Sequence, residues 1–203
     1  MAGGRSRRFG TSKGSALLGG KRLAQLLLDR LTEQTAGPVA INCGPSSELA
    51  DCGFPTFPDQ LGSQDESGLG PLAGGHASML WAKGLGYERV ITSPVDTPFL
   101  PADFVITLSE GHAPVYCRRN GSDHFLHGVW PVDLEQDLAA FVADGGRAMK
   151  DWLKHCGARV CDFGQSDDTA PFFNVNTQED LKALEAILKR SSSALPRRGS
   201  PRV

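Results

Sequence analysis

The stretch from Met1 to Arg22 constrains this chain most. It holds six basic residues, Arg5, Arg7, Arg8, Lys13, Lys21 and Arg22, and no acidic one, with glycines interleaved among the charges. Glycine lets the backbone turn tightly and bring its own N–H groups up to an anion. A polyphosphate takes both features, amide donors at close range and cations that neutralise its charge. A solvated basic leader is the plain alternative. A Walker A loop is excluded, because five residues separate Gly14 from Gly20 and Arg22 stands where a hydroxyl should follow Lys21. The dinucleotide fingerprint is excluded too: after Gly68-Leu69-Gly70 the third glycine, Gly74, comes one residue late and Pro71 interrupts.

At 203 residues the chain suits one domain with a core that needs no metal or disulfide staple. A net charge of −2 argues against a general nucleic-acid binder, since acidic residues further along balance the leader. No run reaches the roughly 18 apolar residues of a membrane span, and no signal-peptide pattern opens the chain. A cytoplasmic monomer with no membrane partner is the expectation. The five cysteines (Cys43, Cys52, Cys117, Cys156, Cys161) form no C-x-x-C pair and read as reduced, mostly buried thiols. His124-x-x-His127 has only Asp123 near it in sequence, so packing or surface histidines outweigh a metal role.

Periodicity predicts helices over Lys21 to Gln34, Gly75 to Lys83, Ala102 to Ser109, Leu134 to Gly145 and residues 149 to 156. Strands are expected at Val39 to Asn42, Arg89 to Thr92, Val115 to Cys117, Phe125 to Trp130 and Arg159 to Asp162, with a hairpin turn at Asn120-Gly121. Residues 44 to 74 read as a long functional loop. Thr177-Gln178-Glu179-Asp180 resembles a capping box opening a last helix. The expected division is a domain over 1–190 and a disordered tail over 191–203. Strands alternating with helices predict an α/β fold, a three-layer α/β/α sandwich with a Rossmann-like, mostly parallel sheet. In such sheets ligands bind beyond the carboxyl ends of the strands, where the leader, Asn42 and Asp96 would converge.

Four motifs in order carry a resemblance over about residues 1 to 190: Ala2-Gly3-Gly4 with Ser6, Arg8, Gly10 and Lys13; Gly70-Pro71-Leu72-Ala73-Gly74; Asp96-Thr97-Pro98; and Phe173-Asn174-Val175-Asn176-Thr177. Together they resemble the molybdenum cofactor guanylyltransferases, within the wider MobA-like family of NTP transferases. The resemblance implies transfer of GMP from GTP to the phosphate of molybdenum-molybdopterin, with release of pyrophosphate and with Mg2+ as cofactor. It implies roles for Arg8 and Lys13 on the triphosphate, and backbone contacts from Met1, Ala2, Gly3, Gly4 and Gly70. Asn42 and Asp59 would contact guanine, whose adjacent N1–H and N2 amine suit a carboxylate. Asp96 would hold the metal, though an Asx-turn ahead of Pro98 is the ordinary use of such a residue. Asn174 and Asn176 would orient metal and phosphate or serve the helix entry. Other molybdenum-cofactor proteins and acceptor molybdoenzymes are the implied partners.

Two alternatives stand beside this reading: a CTP-using cytidylyltransferase, and a catalytically weak nucleotide-binding partner in cofactor delivery. The chain departs from the family pattern at Ser12, Gly44 and Gln178. It also shows Met1 where the family has an apolar residue closing its first strand. The first strand is therefore expected to be missing or truncated, and the native protein to begin roughly five to ten apolar residues earlier, one strand's length.

Overall fold

The computed structural model of the protein describes residues 13–44, 47–61, 69–110, 114–168 and 170–194, the side chains of 13 and 191–194 excepted. Of the expected site, Met1, Ala2, Gly3, Gly4 and Arg8 therefore lie outside the described residues, as does the side chain of Lys13.

A short 3-10 turn, Lys13–Ser15, leads into a hairpin of β1 (Leu17–Leu18) and β2 (Lys21–Arg22), turned by Gly19 and Gly20. Helix α1 (Leu23–Gln34) follows, burying Leu23, Ala24, Leu27 and Leu28 on one face. Strand β3 is only Ile41–Asn42, shorter than expected, and pairs in parallel with β4 (Thr56–Phe57). Arg22 ties the intervening loop down, donating to the Asp51 carboxylate at 2.7 Å and to the Glu48 carbonyl.

Helix α2 (Gly70–Gly84) begins five residues before the expected start, with Pro71 in its first turn. The glycines hid that start from a propensity reading, yet Leu72 and Ala73 are buried and so hold the first turn to the core. The supposed long loop thus shrinks by one strand and one helical turn. Strand β5 (Arg89–Thr92) comes next, then α3 (Phe104–Glu110), β6 (Val115–Arg119) and β7 (Ser122–Pro131). The β6–β7 turn carries Asn120 at φ 48° and Gly121 at φ 75°, the left-handed pair that a two-residue hairpin needs. Helices α4 (Glu135–Ala143) and α5 (Met149–His155) precede β8 (Arg159–Asp162), and α6 (Gln178–Ala194) ends the described chain. The backbone of α6 stays helical four residues beyond the expected start of the tail.

The larger sheet has the order β5-β7-β6-β8. Strand β7 is antiparallel to both neighbours and β8 is parallel to β6, so β5, β6 and β8 share one direction. Alternation along these strands builds the layers. Val90, Tyr116 and Trp130 face the α2, α4 and α5 side, where Trp152 and Leu138 lie buried. Ile91, Val115, Cys117 and Val129 face α1 and α3, packing on Phe104 and Leu108. Helices on both faces of a sheet make the three-layer α/β/α sandwich that the element pattern predicts. The five cysteines are free thiols, with Cys43 and Cys117 buried, and burial pushes the Cys117 thiol pKa up.

Gly128 sits where β6 and β7 change register, opposite both Tyr116 and Thr92. A Cβ there would collide with the Val115 carbonyl oxygen and the Trp130 ring, neither of which can move without breaking the sheet. Gly128→Ala should cost about 2 kcal/mol of folding stability through overpacking, read as a lowered urea midpoint with an unchanged slope.

Candidate active site

The carboxyl end of β5 is set by a chain of side-chain bonds. Trp130 Nε1 donates to Thr92 Oγ1 at 2.8 Å, and that hydroxyl donates to the Leu126 carbonyl at 3.0 Å. Ser93 to Phe99 leave this fixed end as a loop, with Thr97 N–H closing a turn onto the Pro94 carbonyl. Asp96, half-buried, stands at the apex of that loop. Its carbonyl accepts from Val175 N–H at 2.8 Å, and Phe172 N–H donates to Phe99 at 2.9 Å. Two bonds thus lash the segment carrying Asn174 and Asn176 to the segment carrying Asp96.

Both asparagines are exposed, whereas Val175 between them is fully buried. Alternation about a buried anchor is what presents the two amides to solvent. Asp180 fixes the exit of this segment: its carboxylate accepts from the N–H groups of Asn176 and Thr177, each at 2.9 Å. The Thr177 hydroxyl accepts in return from Asp180 N–H at 3.1 Å. This reciprocal cap is the one its sequence announces.

The turn at Lys13–Ser15 joins the same corner. Gly14 packs against Leu49 and Val95, so closely that a Cβ would meet the Leu49 side chain at 2.8 Å. Ala16 belongs to one buried cluster with Val175, Leu181 and Leu184. The backbone that follows the basic leader therefore lies against both the Asp96 loop and the Asn174–Asn176 segment.

Asn42 and Asp59 form a second group at the end of β3. Asn42 is 3% exposed, and its amide donates to the Asp59 carboxylate at 2.9 Å and to the Phe57 carbonyl at 3.3 Å. Asp59 itself is exposed, so a carboxylate held by a buried amide is offered to solvent. Gly70 opens α2 at φ 43°, and among the described residues nothing beyond its chain neighbours and its own helix backbone lies within 4 Å of where its Cβ would be. The glycine serves the left-handed turn. Sequence reasoning missed Trp81, which stacks on Phe57 with centroids 5.2 Å apart and planes 9° from parallel. This stack backs the strand that delivers Asp59. A lone Trp in a Gly- and Ala-rich helix was the only signal for it.

His124 and His127 serve packing. Phe172, held at φ 64°, stacks on His124 at 4.7 Å and meets His127 edge-on at 4.9 Å. Burial lowers the pKa of both rings, that of His127 far below the usual histidine range. Among the described residues no group of three His, Cys, Asp or Glu side chains forms a metal cage. No helix among them is long and apolar enough to cross a membrane.

An α/β/α sandwich whose strand-end loops bring together a carboxylate, exposed amides and the exit of a basic glycine-rich stretch defines a nucleotide-handling transferase class. The chain belongs to the MobA-like NTP transferase domain family, whose pattern it matches over residues 1–160. It is 38% identical over 199 residues to a molybdenum cofactor guanylyltransferase from Rhizobium leguminosarum bv. trifolii, with 93% of this chain and 91% of the relative covered. A molybdenum cofactor guanylyltransferase from Cereibacter sphaeroides is 36% identical over 197 residues, covering 95% and 96%. The crystal structure of molybdopterin-guanine dinucleotide biosynthesis protein A from Archaeoglobus fulgidus superposes with a TM-score of 0.69 at 20% identity. That likeness covers 93% of this chain and 96% of the other, and it shows the shared fold.

The buried His127 and half-buried His124, which pack on Phe172, carry a pH signature. Their folded pKa values lie below the roughly 6.5 of an unfolded histidine. Below that pH the unfolded chain binds protons that the folded chain refuses, so stability falls with pH and is fully present above it. Between pH 7 and pH 5 the unfolding free energy should drop by about 2 kcal/mol on this account, most of it from His127. Urea titrations at the two pH values check it, and His127→Gln should shrink the drop.

Proposed function

We infer that this protein transfers GMP from GTP to the terminal phosphate of molybdopterin carrying molybdenum, forming the guanine dinucleotide cofactor. The observation that carries this reading is end-to-end similarity to guanylyltransferases, at 38% identity over 93% of the chain. The geometry is in keeping with it. A phosphate oxygen of the acceptor attacks the α-phosphorus of GTP in line; the new P–O bond forms as the bridging bond to the β-phosphate breaks, and its electrons leave with pyrophosphate. Such a reaction needs positioning and charge neutralisation rather than a protein nucleophile.

Lys13 and Arg8, with backbone N–H groups of Met1 to Gly4 and of Gly70, are assigned to the nucleotide phosphates. Asp59 is assigned to guanine. Its carboxylate is oriented by the Asn42 amide at 2.9 Å, and one carboxylate accepts from both N1–H and the N2 amine. Cytosine offers no such pair of adjacent donors. That chemistry favours GTP over CTP.

NTP transferases of this family generally use a divalent metal, and the assignment here is Mg2+ at Asp96. The donor set fits: a single half-buried carboxylate, flanked through the Val175–Asp96 bond by two exposed amides, offers hard oxygen ligands. Magnesium takes one or two carboxylates and completes its shell with water and substrate phosphates, so the lack of a three-residue cage among the described residues suits it. When bound, the ion would neutralise phosphate charge. The chain's own contribution is to hold that carboxylate rigid against the substrate. A cytoplasmic monomer of one catalytic domain, residues 1–190, which passes its product to acceptor molybdoenzymes, completes the reading.

Pyrophosphate release from purified protein with molybdenum-loaded molybdopterin, Mg2+ and either GTP or CTP tests the assignment. GTP should support turnover at least tenfold faster; equal or better turnover with CTP would overturn the guanylyl reading and leave the reaction type standing. Asp96→Asn should keep its melting temperature and lose at least a hundredfold in rate, about 2.7 kcal/mol of barrier. Activity within threefold of the parent would remove Asp96 from the site.

A further inference from the structure

Strand β6 buries Val115, Cys117 and Arg119 on one face, and the last of these is a charge where the alternation calls for an apolar side chain. At 9% exposure, Arg119 is the one lysine or arginine buried among the described residues. It makes a single hydrogen bond there: Nη2 donates to the Asp168 carbonyl at 3.2 Å, while Nε is sealed from solvent without an acceptor. No salt bridge joins it to a carboxylate among the described residues. Asp123 is bonded to Arg118 at 2.6 Å, and the Asp168 carboxylate accepts from Ala170 N–H. The Cys117–His124 pair next to it brings no negative charge. Burial pushes the Cys117 thiol pKa up and the His124 ring pKa down, and the Arg119 charge adds to the second effect. Buried charges are ordinarily paired, because a cation left with one neutral acceptor is costly to keep out of water.

The position of this charge points to its counterpart. Strands β5 and β6 run in one direction and stand level, since Thr92 and Tyr116 both face Gly128 of β7. Arg119 therefore ends β6 on the edge of the sheet where the Asp96 loop leaves β5. Two strand spacings, roughly 10 Å, separate β6 from β5. One segment spans that gap: Arg119 holds Asp168, Phe172 stacks on His124 and donates to Phe99, and Val175 donates to Asp96. Over Arg119 the segment is a thin strap. Residues 164–168 are exposed, and besides the Arg119 bond they are tied to β6 through Asn120, which exchanges bonds with Ser166 at 2.9 and 3.2 Å and donates to the Gly164 carbonyl at 3.1 Å.

We propose that Arg119 is a specificity residue that binds the oxygen-bearing metal end of the acceptor, while the acceptor's reacting phosphate sits toward Asp96. The proposal rests on the transferase reading above. In that reading the basic leader takes the GTP phosphates, and the acceptor phosphate stands in line at the α-phosphorus. A cation two strands away reaches a different part of the same substrate. Molybdopterin carrying molybdenum has such a part, since oxygens on the metal are hydrogen-bond acceptors and a guanidinium is a planar fork of donors suited to an oxyanion. The loaded acceptor brings the negative partner that the protein withholds. Metal-free acceptor lacks those oxygens and leaves the cation unpaired, and a site built to hydrogen-bond a group rejects the analogue without it most strongly. Access to Nε comes from the exposed strap, which gives up the Asp168 bond as the oxyanion takes its place.

Binding to the full chain without nucleotide tests this, with molybdenum-loaded and metal-free molybdopterin as the probes. The loaded form should bind at least tenfold tighter. Arg119→Gln should bring that ratio within twofold of one by weakening the loaded form alone, and Arg119→Lys should keep part of it. GTP affinity should stay within twofold of the parent in both variants. Equal affinity for the two forms in the parent overturns the proposal. So does an equal loss of both forms in Arg119→Gln, which would make Arg119 a prop for the strap. If Arg119→Gln does not fold, the parent's Arg119 Nε–H signal in 15N NMR decides, identified by its absence in Arg119→Lys. It should shift with the loaded form and hold still with the metal-free form and with inorganic pyrophosphate. A shift with pyrophosphate in place of the loaded form would assign Arg119 to the leaving group and overturn the proposal. If neither form of the acceptor binds, the transferase reading falls and this proposal with it; the other outcomes touch Arg119 alone.

Discussion

The pairing of β7 with β5 and β6 is the constraint on which the rest of the structure depends. This ten-residue strand holds its neighbours in register on both edges, and its side chains enter both cores in alternation. Trp130 belongs to the α2 side and Val129 to the α3 side, so a one-residue slip would exchange the two cores. Gly128 leaves no room for a Cβ between the Val115 carbonyl and the Trp130 ring, and Trp130 reaches from β7 to bond Thr92 at the end of β5. The place where the Asp96 loop leaves the sheet is fixed by that bond. Positioning of the site therefore begins in the sheet, before any loop residue contributes.

From that fixed end, main-chain hydrogen bonds do most of the assembly. Asp96 and Phe99 accept from Val175 and Phe172, while the buried Val175 and the capped start of α6 keep the second segment from shifting. Each bond is modest in net energy, on the order of 1 kcal/mol. Their value lies in being mutually consistent, since moving one segment would strand several buried polar groups at once. The Asn42–Asp59 bond follows the same logic at the end of β3, where a buried amide orients an exposed carboxylate. A phosphoryl-transfer site needs this kind of rigidity, because little of its catalysis comes from covalent chemistry by the protein.

Local chemistry made part of this legible beforehand. Asn120-Gly121 demands a left-handed turn wherever it sits between strands, and β5 and β8 fall on the residues expected for them. Thr177 and Asp180 form the cap that their spacing announces. Other elements resisted. The start of α2 at Gly70 runs against glycine's helix propensity and is held by burial of Leu72 and Ala73. Strand β4 has only two residues, and its partner lies across a loop whose length gives no register. Val39 and Ala40 read as strand by composition but have no ladder partner among the described residues, so β3 shortens to Ile41–Asn42.

What the sequence determined by itself is what depends on neighbours within a few positions: the layered α/β class, most element positions, the hairpin and the cap. Those features follow from backbone stereochemistry and from the period of apolar residues, both of which are local. Tertiary structure alone decided that the Asp96 loop is bound to Val175, that Asn42 holds Asp59, and that Trp81 backs Phe57. These join residues from 17 to 79 positions apart, as with Asn42 and Asp59 or Asp96 and Val175. No local preference encodes such meetings, because they are set by which surfaces exclude water together once the sheet has closed its register.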